Sequence, residues 1–333
     1  MKPIEELQNY LVDNAFSQIF VLTDENTGKY CLPLLLEKVD EISDKQATLL
    51  EIPAGEESKS METVINLCNS LAESNADRNA VFISLGGGVI TDIGAFVSSI
   101  YKRGIQSINI PTSLLAMVDA SIGYKTGINL NNIKNIIGSF NTNTLTFIDT
   151  EFIKTLPNEE LLNGVAEMLK TFLVMDKKFL EKFISKQDFH HIEDEFILRC
   201  IELKESVVAK DIYDKKERKI LNFGHTIGHA LESFYLSQNK MISHGKAIAI
   251  GMFYALLLSE KKYNINNEVF LPIYQFLKNH FPIIELNKEL LNALMPYLYN
   301  DKKTLNSLLN FVLLKQIGEP IIDVKLTEDE ILL

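Results

Sequence analysis

Residues 84–92 read Ser84-Leu85-Gly86-Gly87-Gly88-Val89-Ile90-Thr91-Asp92, and the fold follows from how this stretch is understood. An apolar run at 80–85 (AVFISL) enters the three glycines, and apolar residues at helical spacing over 89–101 leave them. Three successive glycines remove every Cβ, so the backbone can make a tight turn or let a phosphate approach its amides. A helix starting at once adds N–H donors and a positive dipole end, which favours the phosphate cradle. The spacing differs from the GxGxxG dinucleotide fingerprint.

The same alternation continues on both sides of the loop. Short apolar runs at 18–23 (QIFVLT), 47–52 (ATLLEI), 105–110 (IQSINI) and 145–148 (LTFI) read as buried strands, and 58–74 reads as a helix. Alternating strands and helices predict a mainly parallel, doubly wound sheet, which binds cofactors outside the carboxyl ends of its strands. Beyond about residue 152, helical periodicity dominates, at 159–174, 192–210, 220–234, 246–263 and 267–280. A late run at 308–314 is apolar enough for either state. The expectation is an α/β Rossmann-like domain over 1–152 followed by an all-α domain over 153–333.

Within the helical half, Asn222-Phe223-Gly224-His225-Thr226-Ile227-Gly228-His229-Ala230 puts two histidines four apart on one helical face. A third opens the next helix at Ser243-His244-Gly245-Lys246, and a carboxylate, Glu167, precedes Lys170 by one turn on an earlier helix. Imidazoles with one carboxylate suit Zn²⁺ with an open coordination position. Spacing leaves His229 open as a ligand or as a partner behind one. Cations gather in the same motifs and in glycine-rich ones: Arg103, Lys125, Lys134 beside Asn135, Lys170, Lys204, Arg218 and the Lys302-Lys303 pair. Singly, each reads as a solvated surface charge; beside a metal, such cations suggest a phosphate or carboxylate ligand. Pro53-Ala54-Gly55-Glu56-Glu57-Ser58-Lys59 reads as a capped helix start, and Thr23-Asp24-Glu25-Asn26 as an Asx-type turn.

Composition narrows the function classes. Over 333 residues the net charge is −11, with 46% hydrophobic and 23% charged residues, which argues against a general nucleic-acid binder. An anionic substrate then needs a local basic pocket. The opening MKPIEELQNYLVDNAF carries acids and no long apolar run, so it is not read as a signal peptide, and no apolar stretch reaches the roughly 20 residues of a membrane span. Cys31, Cys68 and Cys200 lie far apart and suit a reducing, cytoplasmic compartment.

These motifs together resemble the 3-dehydroquinate synthase family. The stretches that carry the resemblance are SLGGGVITDIGAFVSSIYKRG, IPTSLLAMVDASIGYKTGIN, KNIIGSF, TLPNEELLNGVAEMLK, ERKILNFGHTIGHALE and SHGKAIAIGM, in the family's order, with NDKKTLNSLLNFVLLKQIG closing it. The resemblance implies a homodimer that uses NAD and Zn²⁺ (or Co²⁺) on a small sugar phosphate, with no nucleic-acid or membrane partner. It places metal ligands at Glu167, His225 and His244, leaving His229 on the substrate side. Cofactor contacts fall on Asp24, Asn26, Glu56, Lys59, Gly87, Gly88, Asp92, Thr112 and Ser113, with Lys125 and Lys134. The substrate pocket falls on Asp119, Lys125, Asn135, Lys170, Lys204, Arg218, Asn222, His229 and Lys302 or Lys303, and Arg103 matches a residue reaching a neighbouring subunit. Two positions depart from the family pattern: Tyr124 stands where a second glycine is usual, and Ser113 where threonine is.

The implied reaction is conversion of 3-deoxy-D-arabino-heptulosonate 7-phosphate to 3-dehydroquinate and phosphate. It runs through transient oxidation, phosphate elimination, reduction, ring opening and an intramolecular aldol closure. A different sugar phosphate cyclase is the nearest rival, and Lys204 and Arg218 favour a carboxylated substrate over it. A glycerol-type dehydrogenase needs no such phosphate-binding cluster. A non-catalytic protein on the same fold would not need the full set of ligands and cations.

Overall fold

The computed structural model describes residues 2–131, 133–186, 188–189, 192–300 and 308–332. The chain divides into two compact units, Met1–Pro157 and Asn158–Leu333.

Among the described residues the first unit has eight strands: β1 (Lys2–Pro3), β2 (Ile19–Asp24), β3 (Thr48–Ile52), β4 (Val81–Gly86), β5 (Gln106–Pro111), β6 (Ile128–Leu130), β7 (Ile133–Ile137) and β8 (Thr144–Ile148). Six of them form one parallel sheet in the order β1-β8-β5-β4-β2-β3, and β6 and β7 pair separately as an antiparallel hairpin. All five apolar runs of this half are strands. β4 is buried along its whole length, which is why it reads as continuous rather than alternating hydrophobics. β1 carries no such signal, being two exposed residues paired to the sheet margin.

The chain passes from β2 outward to β3, then returns across β2 to β4, so the winding reverses between β2 and β4. Register pairs Leu22 with Ser84, which brings the carboxyl ends of these two strands level. Asp24 and the Gly86–Gly88 loop therefore flank one crevice, the place where an open α/β sheet binds ligands. Helices Met61–Glu73 and Gly88–Ile100 share an apolar cluster with β2 and β4 that includes Phe20, Leu22, Leu67, Phe82, Ile93 and Val97. The second of these helices sits directly on β4, since a Cβ at Gly94 would lie 1.9 Å from Ser84 Oγ.

The second unit is helical, with Asn158–Met175, Lys177–Ile184, Asp194–Lys210, His225–Ser237, His244–Tyr263, Leu271–His280 and Lys288–Asn300 as its main helices. One antiparallel hairpin joins them, β9 (Leu309–Gln316) and β10 (Glu319–Leu326). The ambiguous run at 308–314 thus becomes a strand. It has a glycine turn to close on, with Gly318 at φ +82°, and it buries Leu309, Phe311, Val312, Leu313 and Leu314. Its backbone is also tied to a helix, as Leu314 N donates to Ser259 Oγ at 3.0 Å. No helix among the described residues is long and apolar enough to cross a membrane.

A methyl group at position 94 has to displace Ser84 or lift the helix off β4. Gly94→Ala is expected to cost about 1–3 kcal/mol, read as a lowered urea midpoint. An unchanged midpoint would show that the helix can shift without loss.

Candidate active site and metal centre

Three helices of the second unit converge because glycines let their backbones touch. A Cβ at Gly251 would lie 1.9 Å from Gly224 O, and one at Gly228 would lie 2.7 Å from Ile248 Cδ1 and 3.1 Å from Ala247 O, so helices His225–Ser237 and His244–Tyr263 approach closely at these glycines. Gly224 also has φ +80°, which glycine adopts without strain. At Gly245 a Cβ would be 2.6 Å from Asn163 Cα, which sets helix Asn158–Met175 against the start of His244–Tyr263. Asn163 Oδ1 accepts the Gly245 N–H at 2.7 Å and so caps that helix from a neighbour.

This packing brings Glu167, His225 and His244 together, each offering a ligand atom within 4.8 Å of the others. Glu167 Oε2 accepts from Lys170, and Oε1 faces both histidines, 3.1 Å from His244 Nε2 and 3.6 Å from His225 Nε2. Each imidazole is oriented from its far side: His225 Nδ1 lies 3.2 Å from Phe223 O, and His244 Nδ1 lies 3.4 Å from Glu232 Oε1. His229 meets His225 edge-on, with ring centroids 5.0 Å apart.

The charges follow from burial and neighbours. Burial alone would raise the Glu167 carboxyl, but the Lys170 ammonium, then His225 and His244, hold it well below the usual carboxylate range. Burial lowers His225, and Lys170 lowers it further, to about 3, so its imidazole is neutral. Burial would also lower His244, yet hydrogen bonds to Glu167 and Glu232 raise it to about 10. One carboxylate oxygen and two oriented ring nitrogens form a donor set that suits Zn²⁺ or Co²⁺.

Of the other positions named from sequence in this unit, Lys170, Lys204 and Arg218 are all buried cations. Helix Asp194–Lys210, which carries Lys204, packs on the 3₁₀ segment Glu217–Asn222, and both pack on the helix of Glu167. Arg218 is anchored by Nη1 donating to Ile212 O at 2.9 Å and by its backbone N–H donating to Asp211 at 3.2 Å. Asn222 ends that segment, half-buried, two residues before Gly224. Lys302 and Lys303 lie outside the described residues.

The first unit gathers a second set. None of Gly86, Gly87 and Gly88 has positive φ, so a tight turn is not what requires glycine here. Gly86 is required by space, since its Cβ would meet Ile90 at 2.5 Å, and Gly87 and Gly88 leave the start of helix Gly88–Ile100 bare. The buried Thr112 and Ser113 lie beside this loop, with Thr112 N donating to Gly86 O at 3.0 Å. Lys59, only 5% exposed, joins Asp92 Oδ2 at 2.6 Å and Asn135 Oδ1 at 2.5 Å. Asn129 continues the network, accepting from Asn135 N at 2.9 Å and donating to Glu56 Oε1 at 2.8 Å. Glu56, Lys59, Asp92 and Asn135 therefore meet in one polar cluster. Asp24 caps helix Glu25–Tyr30, accepting from Asn26 N at 2.9 Å and Thr27 N at 2.8 Å. Asp119 is half-buried, whereas Arg103, Lys125 and Lys134 are exposed.

Glu232, Asn163 and Asn129 were not singled out from sequence. Glu232 left a trace there, at seven residues after His225 and so on the same helical face. Asn163, four residues before Glu167, had a similar one. Asn129 had none, because its partners are brought to it by the hairpin.

Two family models cover most of the chain, 3-dehydroquinate synthase N-terminal over residues 49–163 and 3-dehydroquinate synthase C-terminal over 164–304. The chain is 36% identical over 334 residues to a 3-dehydroquinate synthase of Parabacteroides distasonis, covering 98% of this chain and 93% of that one. It is 39% identical over 284 residues to the Clostridium tetani 3-dehydroquinate synthase, covering 84% and 75%. Among solved structures it is similar to a 2-deoxy-scyllo-inosose synthase complexed with carbaglucose-6-phosphate, NAD⁺ and Co²⁺. That match has TM-score 0.84 and 26% identity, over 98% of this chain and 92% of that one. A glycerol dehydrogenase of Schizosaccharomyces pombe, at 17% identity and TM-score 0.65 over 98% and 84%, shares the fold.

With His244 protonated up to about pH 10, an ion taking its Nε2 must displace a proton. Zn²⁺ binding at pH 8 is expected to release about one proton, and affinity to fall about tenfold per pH unit on acidification. Calorimetry in buffers of different ionisation heat measures this; binding without proton release contradicts it.

Proposed function

The chain belongs to the 3-dehydroquinate synthase family, and on that premise we propose how its residues divide the work of converting 3-deoxy-D-arabino-heptulosonate 7-phosphate to 3-dehydroquinate and phosphate. The observation that carries the proposal is the meeting of Glu167, His225 and His244 beside the buried Lys170. When bound, NAD supplies a reversible hydride acceptor and a divalent ion supplies Lewis acidity at the substrate hydroxyl. Glu167, His225 and His244 would hold the ion. The bare Gly86–Gly88 loop, with Asp24, Asn26, Glu56, Lys59, Asp92, Thr112, Ser113, Lys125 and Lys134, would hold the dinucleotide.

The protein's own part is orientation and charge. Lys170, Lys204 and Arg218 bind the anionic ends of the substrate, Arg218 as a fork and the lysines as point charges. They hold these groups against the reacting carbons, which makes successive steps unimolecular. Asn222 and His229 move the hydroxyl proton, and the departing phosphate takes the proton released in the elimination, so no further strong base is required. Asp119, Asn135 and Lys302 complete the substrate contacts.

We further propose a cytoplasmic homodimer in which Arg103 reaches the partner. The exposed Leu130, Ile133 and Ile136 on the β6–β7 hairpin, with Phe140 beside it, support an apolar contact there. Light scattering is expected to give about twice the 37.7 kDa chain mass; a monomer at working concentration removes this part of the proposal.

The purified enzyme should release phosphate from the heptulosonate phosphate with no net NADH. Activity should vanish after thorough chelation and return with Zn²⁺ or Co²⁺. Turnover that survives complete metal removal would refute the ligand assignment. Faster turnover of a neutral-ended sugar phosphate would make the enzyme a different cyclase, the alternative reading.

A further inference from the structure

Glu232 is buried on helix His225–Ser237, and burying a carboxylate is costly unless something requires it there. A leucine would fill the same place at less cost if packing were its only task. Its Oε1 lies 3.4 Å from His244 Nδ1, while His244 Nε2 faces Glu167 Oε1 at 3.1 Å. The imidazole is thus clamped between two carboxylates, one on each nitrogen. Glu232 and His225 lie two turns apart on one helix, so that helix presents His225 by its own ring and aims His244 through Glu232.

We propose that Glu232 is a positioning residue for the metal centre: it fixes the His244 ring and keeps its proton on Nδ1, so that the Nε2 lone pair points to the ion. This rests on Glu167, His225 and His244 being the metal ligands. The carboxylate behind a ligating imidazole sets the tautomer, restrains rotation and raises ligand basicity.

The test measures Zn²⁺ and Co²⁺ affinity by competition with a chromophoric chelator, with the visible Co²⁺ spectrum and melting of the metal-free protein alongside. Glu232→Leu removes the acceptor, whereas Glu232→Gln keeps the shape and one carbonyl oxygen. Glu232→Leu is expected to bind both ions about 10–100-fold more weakly, with Glu232→Gln falling between it and wild type. The Co²⁺ bands should change in Glu232→Leu, and metal-free melting should fall only by what the lost Glu232–His244 contact accounts for. Affinity within about twofold of wild type in a folded Glu232→Leu overturns the proposal. If that variant does not fold, an unchanged affinity in Glu232→Gln overturns it equally. A lowered metal-free melting temperature with unchanged affinity assigns Glu232 a packing role instead. Wild-type protein that binds neither ion defeats the ligand reading itself, a result distinct from these.

Discussion

The second unit is organised around one ionised carboxylate with no access to water. Glu167 keeps its charge because Lys170 takes one oxygen and two imidazoles face the other. Removing a partner from such a group leaves an uncompensated buried charge, at a cost of about 3–5 kcal/mol. The glycines at 224, 228, 245 and 251 serve this arrangement, because side chains there would push apart the helices that deliver the partners. Packing and chemistry are therefore one problem here, and the sequence solves it by omitting Cβ atoms where the helices cross.

How much of this was legible beforehand depends on range. The strands β2, β4 and β5 could be read because central parallel strands are apolar on both faces. Their order could not, since nothing local states that β2 lies between β3 and β4. The His225–His229 spacing and the glycines around it were visible, as were the cations on neighbouring helices. The partner of Glu232 was hidden because only tertiary packing shows that it faces a histidine twelve residues further on. The hairpin β9–β10 was ambiguous because a short apolar run suits a buried strand and a buried helix turn alike.

Tyr124 shows what a departure from a family pattern entails locally. It occupies φ +63°, a conformation glycine takes freely and a side chain takes at a cost of about 1–2 kcal/mol. The neighbouring backbone is tied across the loop: Tyr124 O accepts from Asn141 N at 2.8 Å, and Lys125 bridges Phe140. Strain is thus tolerated beside Lys125, and the ring itself remains at the surface.

The donor set of one carboxylate and two imidazoles contains no sulfur. Thiolate-ligated zinc can be lost to peroxide, because oxidised sulfur is a poor ligand. Carboxylate oxygen and imidazole nitrogen are not ligands lost by that route, so an ion held by this set would be removed by acid or by a stronger ligand instead.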